Sequence, residues 1–473
     1  MIRLIAKKEL REIIGSAKFV FSFGVCAVLI LLAFVMGAKN YQVGVARYEA
    51  AKAENLRKME GLDDWVRVNS HRIFLPPRPL ETLVTGVSND VGRTIEMRGR
   101  GELIAYDSRY NDNPLFAIFR YLDLEFIFTV VLSLFAILFG YDAINGEKER
   151  GTLRLTFANA VPRDKYILGK LAGSFAALVF PLLLPILIGC LLLSLFGVNL
   201  TGEEWLKLAA VIAVGLLYFS VFLTLSIFVS TLTRRSSSAF LFLLVIWILA
   251  VQIIPRSAVL LAGRAVDVPT FDELAYQKSR QQAQLWKESM DKMSEFKPSQ
   301  SEDPEKIMQE FNGFMDDQAK EREKVMKALT DRLNEDRRNR QVRQERLTFG
   351  LARISPSASF SLAAANLSGT SIDMKQHFVD EATAYQETFG KFMLEKTGMN
   401  LGGRVIYFKM KRGDGEEEEE KLIDPRELPE FFFRPEPVAA VMKRAVVDVG
   451  LLILYNIAFF VGAFVAFMRY DVR

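Results

Sequence analysis

The chain has 473 residues, of which 50% are apolar and 25% are charged, with 60 lysines and arginines against 56 aspartates and glutamates. A net charge of +4 is too small for a nucleic-acid-binding protein, because neutralising the phosphates of a strand needs a strong basic excess. Its two cysteines (Cys26, Cys190) and two histidines (His71, His377) disfavour disulfide frameworks, zinc sites and imidazole chemistry. The composition predicts a membrane protein with sizeable polar regions.

Six apolar segments are long enough to be membrane spans. A bilayer core about 30 Å thick needs about 20 apolar residues in a helix, because lipid cannot satisfy open backbone groups. Pro181 and Pro185 lie in the third segment, where they are expected to kink the helix. The segments are residues 19–38, 126–144, 171–196, 205–232, 239–254 and 446–468.

Basic residues in the short flanks and loops of these spans are concentrated on one side. Lysine and arginine in short loops resist translocation and therefore mark the cytoplasmic side. They precede the first span, separate the second from the third and the fourth from the fifth, and follow the sixth, whereas the loop 197–204 has none. This distribution predicts a multi-pass protein of the cell membrane with cytoplasmic N- and C-termini. A cleaved signal peptide is the alternative for the N-terminus, but the first apolar run exceeds the usual length of roughly 7–15 residues.

The spans and their orientation divide the chain into nine parts. Two long segments outside the membrane together exceed half of the sequence and must therefore contain folded structure. The parts are a cytosolic amphipathic entry helix (1–18), span 1 (19–38), a first extracytoplasmic segment (39–123), span 2 (124–144), a cytosolic segment (145–170), spans 3 to 5 (171–254), a large extracytoplasmic domain (255–443), span 6 (444–468) and a cytosolic tail (469–473).

The large extracytoplasmic domain is predicted to be mostly helical. Apolar residues recur at three- and four-residue spacings in 271–296 and 304–347, which is typical of a helical hairpin. Its basic run, 337–346, could contact an anionic head group, although a solvated helix face is the simpler interpretation. Residues 404–425 suggest a strand hairpin with an acidic tip, where 416–420 could bind a cation but are more often only solvated. The predicted fold class is an α-helical polytopic membrane protein with six spans, a helical hairpin and a small α/β portion.

The chain lacks a recognisable catalytic motif. No Gly-x-Ser-x-Gly, Cys/His pair or His-Glu-x-x-His occurs. Gly146 and Gly151 have the spacing of a phosphate-binding loop, but the lysine that would reach the phosphates is missing. Asp142 and Asp448 lie near span ends, where snorkelling or capping is preferred to ion coupling, so ion-driven transport is disfavoured. Any nucleotide hydrolysis would therefore need a separate subunit.

The cytosolic segment between the second and third spans carries the most specific pattern. Residues 140–173, GYDAINGEKERGTLRLTFANAVPRDKYILGKLAG, resemble the coupling region of ABC-2 type transporter permeases. Residues 1–19 look like the entry helix of that family, and STLTRRSSSAF and FMRYDVR resemble its loop between spans 4 and 5 and its C-terminal end. SPSASFSLAAANLSGT resembles a subgroup with enlarged outer domains, which leaves the substrate open. The matching positions are Asp142, Glu147, Glu149, Gly151, Thr152, Leu153, Pro162 and Lys170.

The resemblance implies a permease subunit that has no ATPase site and binds no cofactor directly, while ATP and Mg are held by a partner. The implied partners are two cytosolic ATPase subunits, a second copy or a related permease, and membrane lipid; an extracytoplasmic partner protein is a further expectation, and nucleic acid is not. Glu149 and Arg150 are expected to give polar docking, and Leu153 and Phe157 apolar docking. The predicted ATPase-coupling residues are Asp142, Glu147, Lys148, Glu149, Arg150, Gly151, Thr152, Leu153, Phe157 and Pro162.

Two functions of different kinds follow from this sequence. The first is ATP-driven export across the membrane by a dimer of such subunits. The second is mechanical transmission, in which ATP-driven movement of the outer helical hairpin acts on an extracytoplasmic partner without passing a substrate. A membrane-anchored enzyme is disfavoured, because no catalytic cluster is apparent.

Overall fold

The computed structural model describes residues 1–68, 71–88, 92–97, 105–106, 123–159, 161–294, 304–397 and 422–470. The chain divides into two compact units, one formed by Met1–Val251 with Ser355–Arg473 and the other by Gln252–Ile354. The α-helical polytopic fold is confirmed, because six of the described helices are long and apolar enough to cross a membrane. These are Ala17–Arg57, Leu124–Glu149, Arg163–Leu195, Gly202–Leu232, Ser236–Ala265 and Val438–Arg469, named below as the first to sixth spans.

The first span is a helix of 41 residues, much longer than its apolar run of 19–38. Ser16 caps the start of this helix by accepting a hydrogen bond from the backbone N–H of Phe19 at 3.2 Å. No proline interrupts the chain before Arg57, so the helix continues past the apolar run. The entry helix, Ile2–Ile14, precedes it and packs against the third span.

The segment after the first span contains a small antiparallel sheet that the sequence analysis did not predict. Its strands β1 (His71–Phe74), β2 (Thr94–Met97) and β3 (Ala105–Tyr106) lie in the order β1-β2-β3. Strand β1 comes shortly before Pro76 and Pro77, two residues that disfavour helix. Residues 404–421 of the predicted strand hairpin, with its acidic tip, lie outside the described residues.

A second core, distinct from that of the spans, joins this sheet to helix Asp373–Thr397. Ile73 and Ile95 contribute from the strands, while Phe378 and Phe389 contribute from the helix, and all four are at most 2% exposed. Trp65, in the 3-10 turn Trp65–Arg67, packs edge-on against Phe392. Two further short elements are the helix Pro79–Leu83 and the 3-10 turn Pro425–Glu427.

Two spans contain π-helical segments, Ile127–Leu132 in the second and Ile248–Ile253 in the fifth. Beside both segments the indole of Trp247 donates a hydrogen bond to Ser133 Oγ at 2.8 Å. A π segment leaves backbone carbonyls without their usual helical partners. Ser357 provides a replacement partner, because its hydroxyl donates a hydrogen bond to the Ala250 carbonyl at 2.8 Å. The helix of Ser357, Pro356–Ser368, packs against the fourth and sixth spans.

The unit Gln252–Ile354 is mostly helical in its described residues. Helix Pro304–Ala352 has 49 residues and packs against both Ile254–Ala265 and Phe271–Ser294. Its basic run is not merely solvated: Arg337 Nε donates to the Pro269 carbonyl at 3.0 Å, and Gln344 donates to the Val266 carbonyl at 3.1 Å. These side chains therefore satisfy carbonyls that follow a helix end.

Candidate functional site

The candidate site lies where the entry helix meets the residues between the second and third spans, and we call it the Glu147 end. Here helix Asn145–Glu149 completes the second span, helix Thr152–Ala158 follows, and Pro162 immediately precedes the third span. Gly151 separates the two short helices with a φ of +72°, a conformation that costs glycine least. The glycine thus allows the chain to turn between these two helices.

Buried ion pairs hold the Glu147 end together. Lys170 Nζ lies 2.6 Å from Glu9 Oε2 and 3.0 Å from Glu147 Oε1, although Lys170 is only 4% exposed. Lys8 Nζ approaches Glu147 Oε1 at 3.4 Å, and the Tyr166 hydroxyl donates to Glu147 Oε2. Because ions removed from water are stable only when paired, these contacts fix the entry helix and third span around Glu147.

The charge balance of this cluster favours internal pairing over metal binding. Burial raises the pKa of Glu9, an effect that the Lys170 ammonium opposes and the Glu147 carboxylate reinforces. Ser174 Oγ also donates to Glu9 Oε1 at 3.3 Å. Carboxylate oxygens of Glu9, Glu12 and Glu147 lie within 4.8 Å of one another, a spacing that could hold a cation. The ammonium groups of Lys8 and Lys170 already neutralise these carboxylates, so we interpret the cluster as a structural ion network.

Two glycines allow the close approach that forms this network. A Cβ atom at Gly173 would lie 2.7 Å from Glu9 Cβ, and one at Gly169 would lie 2.8 Å from Ile5 Cβ. Small residues four positions apart let two helix backbones touch, as in membrane helix pairs. The entry helix therefore rests directly on the third span.

Other residues of the Glu147 end bind the ends of neighbouring spans. Lys148 Nζ donates to the carbonyls of Thr231 at 2.7 Å and Thr233 at 3.3 Å, where the fourth span ends. Glu149 accepts hydrogen bonds from the Ser236 N–H at 2.7 Å and hydroxyl at 3.1 Å, where the fifth span begins. A cation at a helix C-terminus and an anion at an N-terminus both complement the helix dipole.

The sixth span is attached in the same way. Arg163 donates to the carbonyls of Met468 at 2.9 Å and Tyr470 at 3.0 Å, at the end of that span. Lys148 also lies over the Tyr470 ring, 4.3 Å from its centre. One short polar segment thus contacts the ends of several spans.

The ten predicted coupling residues all lie at this end, but the structure gives them different surroundings. Asp142 lies 3.7 Å from Lys18 in an ion pair, and Thr152 Oγ1 donates to the Glu147 carbonyl at 3.3 Å. Pro162 is exposed, next to the start of the third span. Arg150 is exposed as well, whereas Glu149 is exposed with its carboxylate engaged by Ser236.

The two apolar docking candidates face inward. Leu153 is only 2% exposed, and the Phe157 ring packs against Tyr166 at 5.4 Å and Phe467 at 5.9 Å between ring centres. Leu155, between them in sequence, is 68% exposed. Residues two apart lie on opposite faces of a helix, so Leu155 presents the outer apolar surface. Whether any of these residues contacts an ATPase stays a prediction.

A shallow hollow opens beside these residues. Its volume is about 430 Å³, and charged groups of both signs surround it. Its lining consists of Lys148, Glu149, Arg150, Gly151, Leu153, Arg154 and Tyr470.

Sequence reasoning missed the roles of Lys8, Glu9 and Tyr166, and it marked Lys170 only through the family resemblance. The available signal was the pair Gly169 and Gly173, which places Lys170 beside a helix contact. A buried lysine next to such a contact needs an acidic partner, and the entry helix is the nearest source.

A class and a family can now be assigned to the chain. Six spanning helices with polar contacts between their ends define a polytopic, membrane-embedded protein. The family model described as ABC-2 family transporter protein matches residues 3–472, nearly the whole chain, and the chain belongs to that family. It is therefore the permease component of an ABC transporter, a component that associates with an ATPase subunit and usually dimerises. No curated protein matches the chain.

Proposed function

We propose that this permease subunit drives export as one half of a dimer that is powered by two separate ATPase subunits. One ATPase subunit docks on the hollow at the Glu147 end of each permease subunit. The observation that carries the proposal is the exposure of Arg150 and Leu155 on a segment whose neighbouring residues bind span ends. The basic flanks of the spans support a cytoplasmic location for this end, in the cell membrane. The nucleotide and its Mg would be bound by the partner.

Force applied at the hollow has direct routes into the spans. Lys148 is hydrogen-bonded to Thr231 at the end of the fourth span, at 2.7 Å. Glu149 is hydrogen-bonded to Ser236 at the start of the fifth span, also at 2.7 Å. Glu147 forms an ion pair with Lys170 of the third span, and Lys170 also pairs with Glu9 of the entry helix. Because packed and ion-paired elements resist deformation, closure of the ATPase pair would move these helices together rather than bend the segment alone.

The test compares two charge reversals in the transporter complex purified from its native membrane. Arg150→Glu is expected to lower ATPase copurification and coupled hydrolysis, because it reverses the charge of an exposed group lining the hollow. Lys165→Glu, at an exposed position near the start of the third span but outside the hollow, is the matched control. Equal hydrolysis and equal ATPase recovery in both variants would contradict docking at the hollow.

Glu149→Lys is a second, less selective variant. It also reverses a charge at the hollow, but it removes the cap on Ser236 and repels the start of the fifth span. We expect it to uncouple hydrolysis from transport while the protein still inserts in the membrane. Unchanged transport would count against the role of this carboxylate.

Mechanical transmission is the second candidate function. The separate helical unit Gln252–Ile354, with its 49-residue polar helix, favours this alternative. Deleting residues 273–344 separates the two functions. An exporter should keep part of its transport activity, whereas a transmitter should keep ATP hydrolysis but lose all action on its partner.

A further inference from the structure

A second concave site lies at the opposite end of the first span from the Glu147 end, and we call it the Arg72 groove. Its volume is about 410 Å³. The later turns of the first span form one wall, and the strands β1 and β2 with the segment after β1 form the other. Its lining consists of Gly44, Arg47, Tyr48, Ala51, Glu54, Asn55, Lys58, Arg72, Phe74, Leu75, Pro77, Arg93 and Thr94.

The groove lies beyond the lipid head groups. The apolar run of the first span ends at Ala38, and the first lining residue, Gly44, follows six residues later in the same continuous helix. At about 1.5 Å per residue, Gly44 lies about 9 Å beyond the apolar run and Arg47 about 14 Å beyond it. Head groups occupy only roughly the first 5–8 Å outside the hydrocarbon core. The groove is therefore accessible to a water-soluble ligand and out of reach of a bilayer lipid.

Three cationic side chains of the lining have no ionic partner. Arg47, Lys58 and Arg72 are exposed, and none of them forms an ion pair within the part of the chain that the structure describes. An exposed cation without a partner can bind an anion without first breaking an internal contact. These three groups are therefore available to a negatively charged ligand.

The other charged groups of the lining are neutralised by their neighbours. Arg93 Nη1 lies 2.5 Å from Glu81 Oε1, and Glu54 Oε2 lies 2.8 Å from Arg57 Nη2. Neither pair adds a free charge to the groove. The groove thus presents a net positive surface, which is complementary to a ligand with more than one negative charge.

The three free cations are spread along the groove. Arg47 and Lys58 are 11 residues apart on one helix, which corresponds to a rise of about 16.5 Å. The Asn55 side chain holds Arg72 beside this helix, because its Oδ1 accepts a hydrogen bond from the Arg72 N–H and its Nδ2 donates to the Arg72 carbonyl, both at 3.1 Å. Asn55 comes eight residues after Arg47. Positive charge is therefore placed at two ends about 12 Å apart along the helix, Arg47 at one end and Arg72 with Lys58 at the other.

The floor between these two ends is apolar. Phe74, Leu75 and Pro77 line it from the sheet side, and Leu75 belongs to the second core. Gly44 and Ala51 line it from the helix, where their small size leaves room for a ligand. The groove can therefore bury an apolar group between two charged ones.

We propose that the Arg72 groove binds an extended, acidic segment of a water-soluble partner protein, on the side of the membrane opposite the Glu147 end. Residues of an extended chain rise about 3.3 Å each and point alternately to its two faces. Two acidic residues four positions apart therefore lie about 13 Å apart on one face, which matches the two positive ends. The residue midway between them lies on the same face, where an apolar side chain meets the floor.

The spacing of the cations favours such a segment over a compact anion. A compact anion can engage one end of the groove and leaves the positive charge at the other end unbalanced. A carboxylate at each end pairs with a guanidinium group, whose planar fork suits carboxylate geometry, and Lys58 adds a further positive charge. Because the site uses no residue of the Glu147 end, its occupancy does not depend on the ATPase.

Binding is measured by calorimetry on the full chain in a neutral detergent, titrated with the synthetic peptide acetyl-Glu-Ser-Leu-Ser-Glu-amide. We expect saturable binding that weakens as salt is raised, because the contacts are between charges. Arg47→Gln and Arg72→Gln should each weaken binding about tenfold, as expected for loss of a charge-assisted hydrogen bond. Arg67→Gln is the matched control, since Arg67 is exposed, pairs with Asp63 and lies outside the groove.

A variant that keeps every charge tests the cavity itself. Ala51→Trp fills the groove and should abolish binding, and a thermal melt equal to that of the unmodified protein shows that the fold is retained. Binding that survives both Ala51→Trp and Arg72→Gln would overturn the proposal, as would equal weakening by Arg67→Gln.

Two further ligands test the spacing of the charges. The peptide acetyl-Ser-Glu-Glu-Ser-Leu-amide has the same composition but adjacent carboxylates, and it should bind about tenfold more weakly because it reaches only one end. Inorganic phosphate, compared at equal ionic strength, should also bind about tenfold more weakly for the same reason. Equal affinity for the reordered peptide would overturn the extended arrangement, and equal affinity for phosphate would assign the groove to a compact oxyanion instead.

A last variant separates a partner from this chain itself. Residues 416–420 are an acidic run of the same chain that lies outside the described residues. Changing all five together, from Glu416→Gln to Glu420→Gln, should leave the affinity for the first peptide within about twofold, as expected if that run does not compete for the groove. A gain of about tenfold would assign the groove to the chain's own acidic run and would overturn the assignment to a partner.

Discussion

The Glu147 end and the Arg72 groove both gather charge, but they do so in opposite ways. At the Glu147 end, Lys170 and the carboxylates of Glu9 and Glu147 are buried and paired. In the groove, Arg47 and Arg72 are exposed, and neither forms an ion pair with the described residues. Paired buried charges hold a geometry, whereas exposed unpaired charges remain available to a ligand. The first region is therefore suited to transmit movement and the second to bind.

The energetics of the two regions differ for the same reason. Removing one member of a buried ion pair leaves the other charge buried without a partner, which lowers the stability of the fold by several kcal/mol. Removing an exposed charge that has no partner changes the stability little, because no buried charge is left behind. Stability measurements can therefore separate the two regions before any ligand or partner is identified.

The largest effect is expected from Lys170→Met. This substitution leaves the carboxylates of Glu9 and Glu147 without their buried cation and should lower stability by about 3–5 kcal/mol. The measurement is the thermal midpoint in detergent, with Lys165→Met as the exposed control on the same helix. Equal midpoints for the two variants would show that the ion network does not hold this end together.

Gly173→Ala should have the next largest effect. Its methyl group would meet Glu9 Cβ at 2.7 Å and the Ala6 carbonyl oxygen at 2.8 Å, so the entry helix must move. Overpacking of this kind costs about 1–3 kcal/mol. Gly450→Ala in the sixth span is the control, because nothing lies within 4 Å of its added Cβ. Proteolysis of the entry helix should accelerate only in Gly173→Ala; no acceleration would contradict the close helix contact.

Acid should weaken the second core, which borders the groove, through His71. Burial lowers the pKa of His71 to about 4, and its Nδ1 lies 3.0 Å from the side-chain amide nitrogen of the groove residue Asn55. The neutral ring can accept that hydrogen bond, but the protonated ring cannot. Because the folded-state pKa is depressed, the stabilisation is present above about pH 6.5 and is lost as pH falls towards 4.

The expected loss from His71 between pH 7 and pH 5 is about 2 kcal/mol, since mainly the unfolded chain takes up a proton in that range. Thermal midpoints at the two pH values measure it. His71→Gln removes the titrating group and should lose less than half of the wild-type difference. An unchanged pH difference in this variant would assign the acid sensitivity to other groups.

The smallest effect on stability is expected from the groove. Arg47→Gln with Arg72→Gln should change the free energy of unfolding by no more than about 0.5 kcal/mol, as is usual for exposed side chains without partners. Chemical unfolding followed by circular dichroism measures this. A loss comparable to that of Lys170→Met would erase the contrast between the two regions and make the groove cations structural.

The span architecture was largely predictable, because long apolar runs have few alternatives to membrane helices. The first helix was underestimated, since polar residues after Ala38 hide a helix that simply continues to Arg57. The π segments were not predictable from residue patterns. Their backbone is completed by distant side chains, such as Ser357 on the Ala250 carbonyl, which only tertiary packing brings together.

The candidate site was predicted in its location but not in its internal geometry. The conspicuous residues from Glu147 to Leu153 do lie together, yet Leu153 is buried and Glu149 is engaged by Ser236. An alternating apolar pattern cannot tell which face of a seven-residue helix is buried, because either face could meet the protein. The burial of Lys170 depends on Glu9, about 160 residues away in sequence and visible only in the fold.

The most direct test of ATPase docking is site-specific photo-cross-linking in the native membrane. The substitution Leu155→p-benzoylphenylalanine places a reactive group on the exposed face of helix Thr152–Ala158, and Leu394→p-benzoylphenylalanine, exposed on helix Asp373–Thr397, is the control. We predict a cross-link from position 155 to the ATPase subunit that copurifies with the chain, and none from position 394. An intact complex that yields no ATPase cross-link at 155, or yields it only at 394, would contradict docking at the Glu147 end.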